Sequence, residues 1–118
     1  MSKFIIHGGK KLEGTYTVSG AKNAAPKLLI ASLLTKEKCV FHNIARFSDT
    51  YRSIDALTSL GASVQFIDRN SIVIQCANIY SSEIPLEAMS ARQSVIFIGA
   101  TLARTGHVII YPPRGDTI

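Results

Sequence analysis

The chain has 118 residues, 47% of them hydrophobic and 18% charged, which is enough apolar side chain for one folded domain and excludes a disordered tail. A net charge of +5 suits an anionic ligand, but the 13 Lys and Arg residues are scattered and only Lys10-Lys11 are adjacent, which argues against a nucleic-acid surface. The opening MSKFIIHGGKK is no signal peptide, Val95–Ala103 is too short to span a membrane, and Cys39 and Cys76 lack metal or disulfide spacing, so two buried thiols in a reducing cytoplasm are expected.

Phe4–Ile6 and Tyr16–Val18 read as short strands around a Gly- and Lys-rich turn. Asn23 has the chemistry of a helix N-cap, with Pro26 in the first turn where its missing N–H is not needed. The helix that follows is expected to reach about Leu34, apolar almost all round and buried on most sides. Cys39–Ile44 alternates like a strand. Ser48-Asp49 is suited to cap a second helix, on which Ile54, Leu57 and Leu60 share a face and which Gly61 ends. Val64–Ile67 and Ile72–Gln75 follow as strands joined by Asp68-Arg69-Asn70. From Tyr16 the order is strand, helix, strand, helix, strand, strand.

Asn78–Glu87 reads as a loop. Ser90-x-x-Gln93 is a capping box for a third helix ending at Gly106, and His107–Tyr111 is a last strand before Pro112-Pro113. A second strand–helix cycle begins as the sequence runs out.

Two positions stand out chemically. A helix N-terminus carries partial positive charge and unpaired N–H groups, so a cation there is locally unfavourable unless an anion is expected. Lys22 sits at the first helix mouth and Arg92 at the third. Together they are placed to bracket a phosphate or carboxylate, and the alternative is two solvated surface cations, each costing less than ~1 kcal/mol. Neither HGGKK nor SGAKN fits the phosphate-loop pattern. His7, His42 and His107 are isolated and read as structural, and Arg114-Gly115-Asp116 reads as a coincidental tripeptide.

Ser19-Gly20-Ala21-Lys22-Asn23-Ala24-Ala25 resembles the enolpyruvyl transferases, and Asn23, where the shikimate-pathway branch has serine, favours the cell-wall branch. The likeness extends through Lys3–Gly14, Asn43, Asp49, Leu60-Gly61-Ala62, Arg92, Leu102-Ala103-Arg104 and the terminal Pro-x-Gly-x-Thr-Ile. It implies an α/β fold of repeated βαβαββ units forming an inside-out α/β barrel, incomplete in this chain. Residues 1–20 would be strands that pack with a C-terminal domain, and residues 21–118 part of the first repeat domain. The implied reaction moves the enolpyruvyl group of phosphoenolpyruvate to the 3-hydroxyl of UDP-N-acetylglucosamine and releases phosphate. This is the first committed step of peptidoglycan synthesis, in the cytoplasm, and it needs no metal or cofactor.

By the same resemblance Lys22 and Asn23 bind phosphoenolpyruvate and Arg92 binds the nucleotide sugar. Asp116 stands where most members carry a cysteine that protonates the substrate, so it is the expected proton donor and the enzyme is expected to be insensitive to fosfomycin. Pro26 comes one position earlier than in the family pattern, and Tyr51-Arg52 stand where the family often has a second acidic residue. The family's aspartate base and two further arginines have no counterpart in this chain. The expectation is therefore an N-terminal fragment, inactive alone and prone to self-association. The competing reading is a non-catalytic nucleotide-sugar or anion-binding module.

Overall fold

A computed structural model describes residues 3–86 and 94–111. The elements run α1 (Ala25–Ala31), a single 3-10 turn (Ser32–Leu34), β1 (Cys39–Phe41), α2 (Ser48–Ser59), β2 (Ser63–Phe66), β3 (Ile72–Gln75) and α3 (Ser94–Thr105). The three strands form one antiparallel sheet in the order β1-β3-β2. This is a mixed α/β unit, the class the sequence predicts.

Alternation sets the sheet's two faces. Cys39 and Val64 both pair with Ile74, and Phe41 and Phe66 both pair with Ile72. With a side-chain period of two, these residues share the inner face and leave Val40, Gln65 and Val73 on the other. Ile72 and Ile74, on the central strand, are fully buried. The β2–β3 turn is tied by Asp68, whose Oδ1 accepts the N–H groups of Asn70 and Ser71, both at 2.7 Å. The Ser71 side chain, and then the Asn70 N–H, hold the Asp68 carboxyl below its ordinary pKa.

Helices supply the opposing layer. Leu29, Ile30 and Leu33 of the first helical stretch meet Leu57 and Leu60 from α2 and its C-cap, and Phe97 from α3. Each such side chain, fully buried, is worth roughly 1.5–3 kcal/mol. α2 ends as its sequence predicts. Gly61 has φ +107°, its N–H donates to Thr58 O at 3.0 Å, and the N–H of Ala62 reaches Leu57 O at 2.9 Å. That pair of bonds is a Schellman termination, which needs a left-handed residue.

Arg104 ties α3 to both layers. Its Nη1 donates to the carbonyls of Leu33 and Thr35, at 2.7 and 2.9 Å, and its Nη2 to those of Cys76 and Ala77, at 3.2 and 3.1 Å. One guanidinium thus satisfies carbonyls left open where the 3-10 turn and β3 end. Of the thiols, Cys76 is buried and Cys39 only half-buried. Burial pushes the Cys76 thiol pKa up, against a smaller downward pull from Arg104.

Several expectations are corrected. Phe4–Ile6 and Tyr16–Val18 are not strands but an extended, exposed arm, with Phe4 96% and Tyr16 82% accessible. Neither segment pairs with another strand of the described chain, and an unpartnered two-strand hairpin is marginal in water. Cys39–Ile44 is shorter than expected, because Asn43 turns left-handed at φ 57° and ends the strand geometry. The first helix keeps Leu28 and Leu34 about half exposed, so it is buried on one side rather than most. His107–Tyr111 makes a parallel bridge between Ile109 and Glu83, not a strand. The Ser90–Gln93 box and Pro112-Pro113 lie outside the described residues. No described helix is long and apolar enough to cross a membrane. The arm stretches the molecule to 58 × 39 × 20 Å with a radius of gyration of 17.3 Å, against about 13–14 Å for a compact chain of this length.

Candidate functional site

Lys22 and Asn23 lie in the turn that joins the arm to α1, and both are exposed. The turn is already helical in its bonding, since the N–H groups of Ala24 and Ala25 both donate to Ala21 O, at 3.2 and 3.1 Å. Asn23 therefore sits inside the first turn and does not cap it, contrary to expectation. The Ala21 carbonyl takes the donors a capping side chain would otherwise meet. Among the described residues the Asn23 amide has no hydrogen-bond partner, which leaves it available to a ligand.

The turn is fastened to the loop after β1. Asn43 Oδ1 accepts the N–H of Gly20 at 3.1 Å, and its Nδ2 donates to Val18 O at 3.3 Å. The approach is close enough to dictate the residue, because a Cβ on Gly20 would lie 1.9 Å from the Asn43 carbonyl oxygen. The loop itself is held by the Ile44 N–H on Asn70 O at 2.7 Å and by Thr50 Oγ1 on Ala45 O at 2.8 Å. Its last residue, Phe47, is the N-cap of α2.

Lys22 Nζ lies over the Phe47 ring, 5.4 Å from its centroid. Close by in sequence, the Arg46 guanidinium stacks on Phe66 at 4.1 Å, and Phe66 meets Tyr51 with ring centroids 6.4 Å apart. Lys22 forms no ion pair among the described residues. An ammonium that meets a ring face and no carboxylate among the described residues needs no ion pair broken when an anion arrives. α2 carries Asp49 in its first turn, where its charge complements the helix dipole, and Asp49 approaches Arg52 at 3.9 Å.

Arg92 and Asp116 lie outside the described residues, so only Lys22 and Asn23 of the expected site are seen together. Asn43 was legible as part of the family pattern but not as a clamp. Phe47 carried no sequence signal, since its contact joins residues far apart in the chain. His42 and His107 behave structurally. His42 Nδ1 is 3.0 Å from Ser71 Oγ, and His107 Nε2 is 2.7 Å from Ser82 Oγ.

A family model described as EPSP synthase (3-phosphoshikimate 1-carboxyvinyltransferase) matches residues 6–113. The chain is 35% identical, over 119 aligned positions, to UDP-N-acetylglucosamine 1-carboxyvinyltransferase of Treponema denticola, with 100% of this chain and 28% of that protein covered. It is 36% identical to the protein of the same name from Deinococcus deserti, covering 93% of this chain and 26% of the relative. The Thermotoga petrophila protein of that name is also 36% identical, with 100% and 28% covered. The chain thus spans little more than a quarter of the length of these relatives.

Proposed function

This chain belongs to the EPSP synthase family, and from that premise we propose that it serves transfer of the enolpyruvyl group of phosphoenolpyruvate to the 3-hydroxyl of UDP-N-acetylglucosamine, with release of phosphate. The observation that carries the proposal is the exposed Lys22-Asn23 pair, just after the Val18 and Gly20 backbone that Asn43 fastens, in a chain aligned along its whole length with relatives of that name. Lys22 supplies positive charge to the phosphate and carboxylate of phosphoenolpyruvate, and Asn23 a side-chain amide beside it. Charge-assisted hydrogen bonds of this kind are about twice as strong as neutral ones.

Arg92 is assigned to the nucleotide sugar and Asp116 to protonation of phosphoenolpyruvate, both by the family resemblance. A carboxylic acid donates a proton near neutral pH only if burial or neighbouring anions raise its pKa. The bound substrates would provide both. Residues 1–20, whose described part is extended and unpaired, are assigned to segments that would pair as strands on a second domain, and residues 21–118 to part of the first. The exposed apolar side chains of the arm support this division, and the reaction would then require sequence beyond the matched quarter of the relatives. The product places the protein in peptidoglycan synthesis.

The test is phosphate release by the intact protein. Release that requires both phosphoenolpyruvate and UDP-N-acetylglucosamine, and falls sharply in Lys22→Ala, is the expected result. Release supported by shikimate 3-phosphate instead would overturn the choice of acceptor. Binding of the nucleotide sugar with no release under any condition would favour a non-catalytic binding module.

A further inference from the structure

We propose that the loop Asn43–Phe47 is the positioning element for Lys22, with Asn43 holding the backbone that leads into it, at Val18 and Gly20, and Phe47 meeting its ammonium. This rests on the assignment of Lys22 to the phosphoenolpyruvate site. A lysine has a long side chain with many rotamers, so an exposed one is costly to immobilise when substrate arrives. A carboxylate partner would reduce that cost but would neutralise the charge and have to be displaced by the anion. An aromatic face orients the ammonium without a competing negative charge.

Phe47 is suited to this because its own position is set twice. Its backbone is extended, at φ −147° and ψ 171°, and its carbonyl accepts the N–H groups of Thr50 and Tyr51 at 3.0 and 3.3 Å. Its ring is half-buried against the core. The ring that meets Lys22 Nζ at 5.4 Å is therefore attached to the start of a 12-residue helix.

Asn43 acts on the backbone just before the same lysine. It adopts φ 57°, a conformation that asparagine tolerates better than most residues. From there both ends of its amide reach across the chain to Gly20 and Val18. Gly20 is two residues before Lys22, and its missing Cβ is what lets the two backbones approach. One five-residue loop thus bears on the backbone before the lysine and on its side chain, and Ile44 anchors its middle in the core.

The experiment uses the intact protein with Phe47→Leu, Phe47→Tyr and Asn43→Ala. Phe47→Leu should raise the KM for phosphoenolpyruvate about three- to fivefold, the size of an exposed cation–π contact, with a much smaller effect on kcat, and Phe47→Tyr should retain the wild-type KM. Independently of substrate, the Lys22 ε-methylene protons should show an upfield ring-current shift by NMR that is lost in Phe47→Leu and kept in Phe47→Tyr. Asn43→Ala should raise the same KM. If it fails to fold, the Phe47 pair decides. An unshifted Lys22 methylene in the wild type overturns the proposal outright. An unchanged KM in Phe47→Leu, alongside a large rise in Lys22→Ala, overturns it while leaving the substrate assignment standing. If Lys22→Ala has no effect on the KM, the substrate assignment fails and with it the role proposed for the loop.

Discussion

Asp116 carries the sharpest chemical difference between this chain and its family pattern, and the predictions attached to it concern one proton. As the proposed general acid it must be protonated in the ternary complex, so kcat should fall as pH rises through the pKa the carboxyl has there. Asp116→Asn should lower turnover roughly 10²–10⁴-fold, the usual worth of acid–base catalysis, and a steady-state phosphate assay on the intact protein reads this directly. With no thiolate at this position to open an epoxide, fosfomycin should leave the protein's mass unchanged. Asp116→Cys should restore covalent labelling. A time-dependent mass increase in the unmutated protein would contradict the assignment. Lys22 differs in kind: its residue type is readable from sequence, whereas its freedom from ion pairing among the described residues is a fact of three-dimensional placement.

Individual elements obey local rules where the needed partners are close in sequence. Gly61 is the best example, because both its left-handed backbone and its surroundings demand glycine. A Cβ there would meet Tyr80 Cδ2 at 2.5 Å and the Asn78 carbonyl oxygen at 3.0 Å. Gly61→Ala should therefore destabilise the fold by roughly 1–2 kcal/mol, measured as a lowered denaturant midpoint at unchanged m-value. The β2–β3 turn makes a pH prediction. Asp68 is held below its ordinary value of 3.8 by its contacts with Ser71 and Asn70. A depressed folded-state pKa contributes stability above the unfolded value that is lost as pH falls through the folded one. The melting temperature of the native chain should exceed that of Asp68→Ala at pH 7, and the gap should narrow below about pH 4. A constant gap across that range would show that the turn is held by shape and not by charge.

At the scale of the whole molecule the arm dominates. Phe4, Ile5, Ile6, Leu12, Tyr16 and Val18 are all at least 70% exposed, and exposed apolar side chains gathered on one segment favour association. The 118-residue chain expressed by itself should self-associate with rising concentration, and replacing Phe4, Ile6 and Leu12 with serine should shift it toward monomer in sedimentation velocity. A native chain that stays monomeric at high concentration would show that the arm finds cover within the chain. Among the described residues Asn43 holds the arm at its last residues, Val18 and Gly20.

Sequence alone determined the features whose causes are local. The alternating pattern of β3, the apolar face of α2, the glycine after it and the Asp-Arg-Asn turn each depend on side chains within a few positions of one another. The cation and amide before α1 were equally legible. Tertiary structure decided what depends on distant partners. The segments Phe4–Ile6 and Tyr16–Val18 have strand-like composition, yet a strand exists only when a second backbone completes its hydrogen bonds. Asn23 has capping chemistry, yet a carbonyl two residues earlier took the donors first. Phe47 and Lys22 are remote in sequence, and only the fold that brings Asn43 against Gly20 places an aromatic face beneath the ammonium.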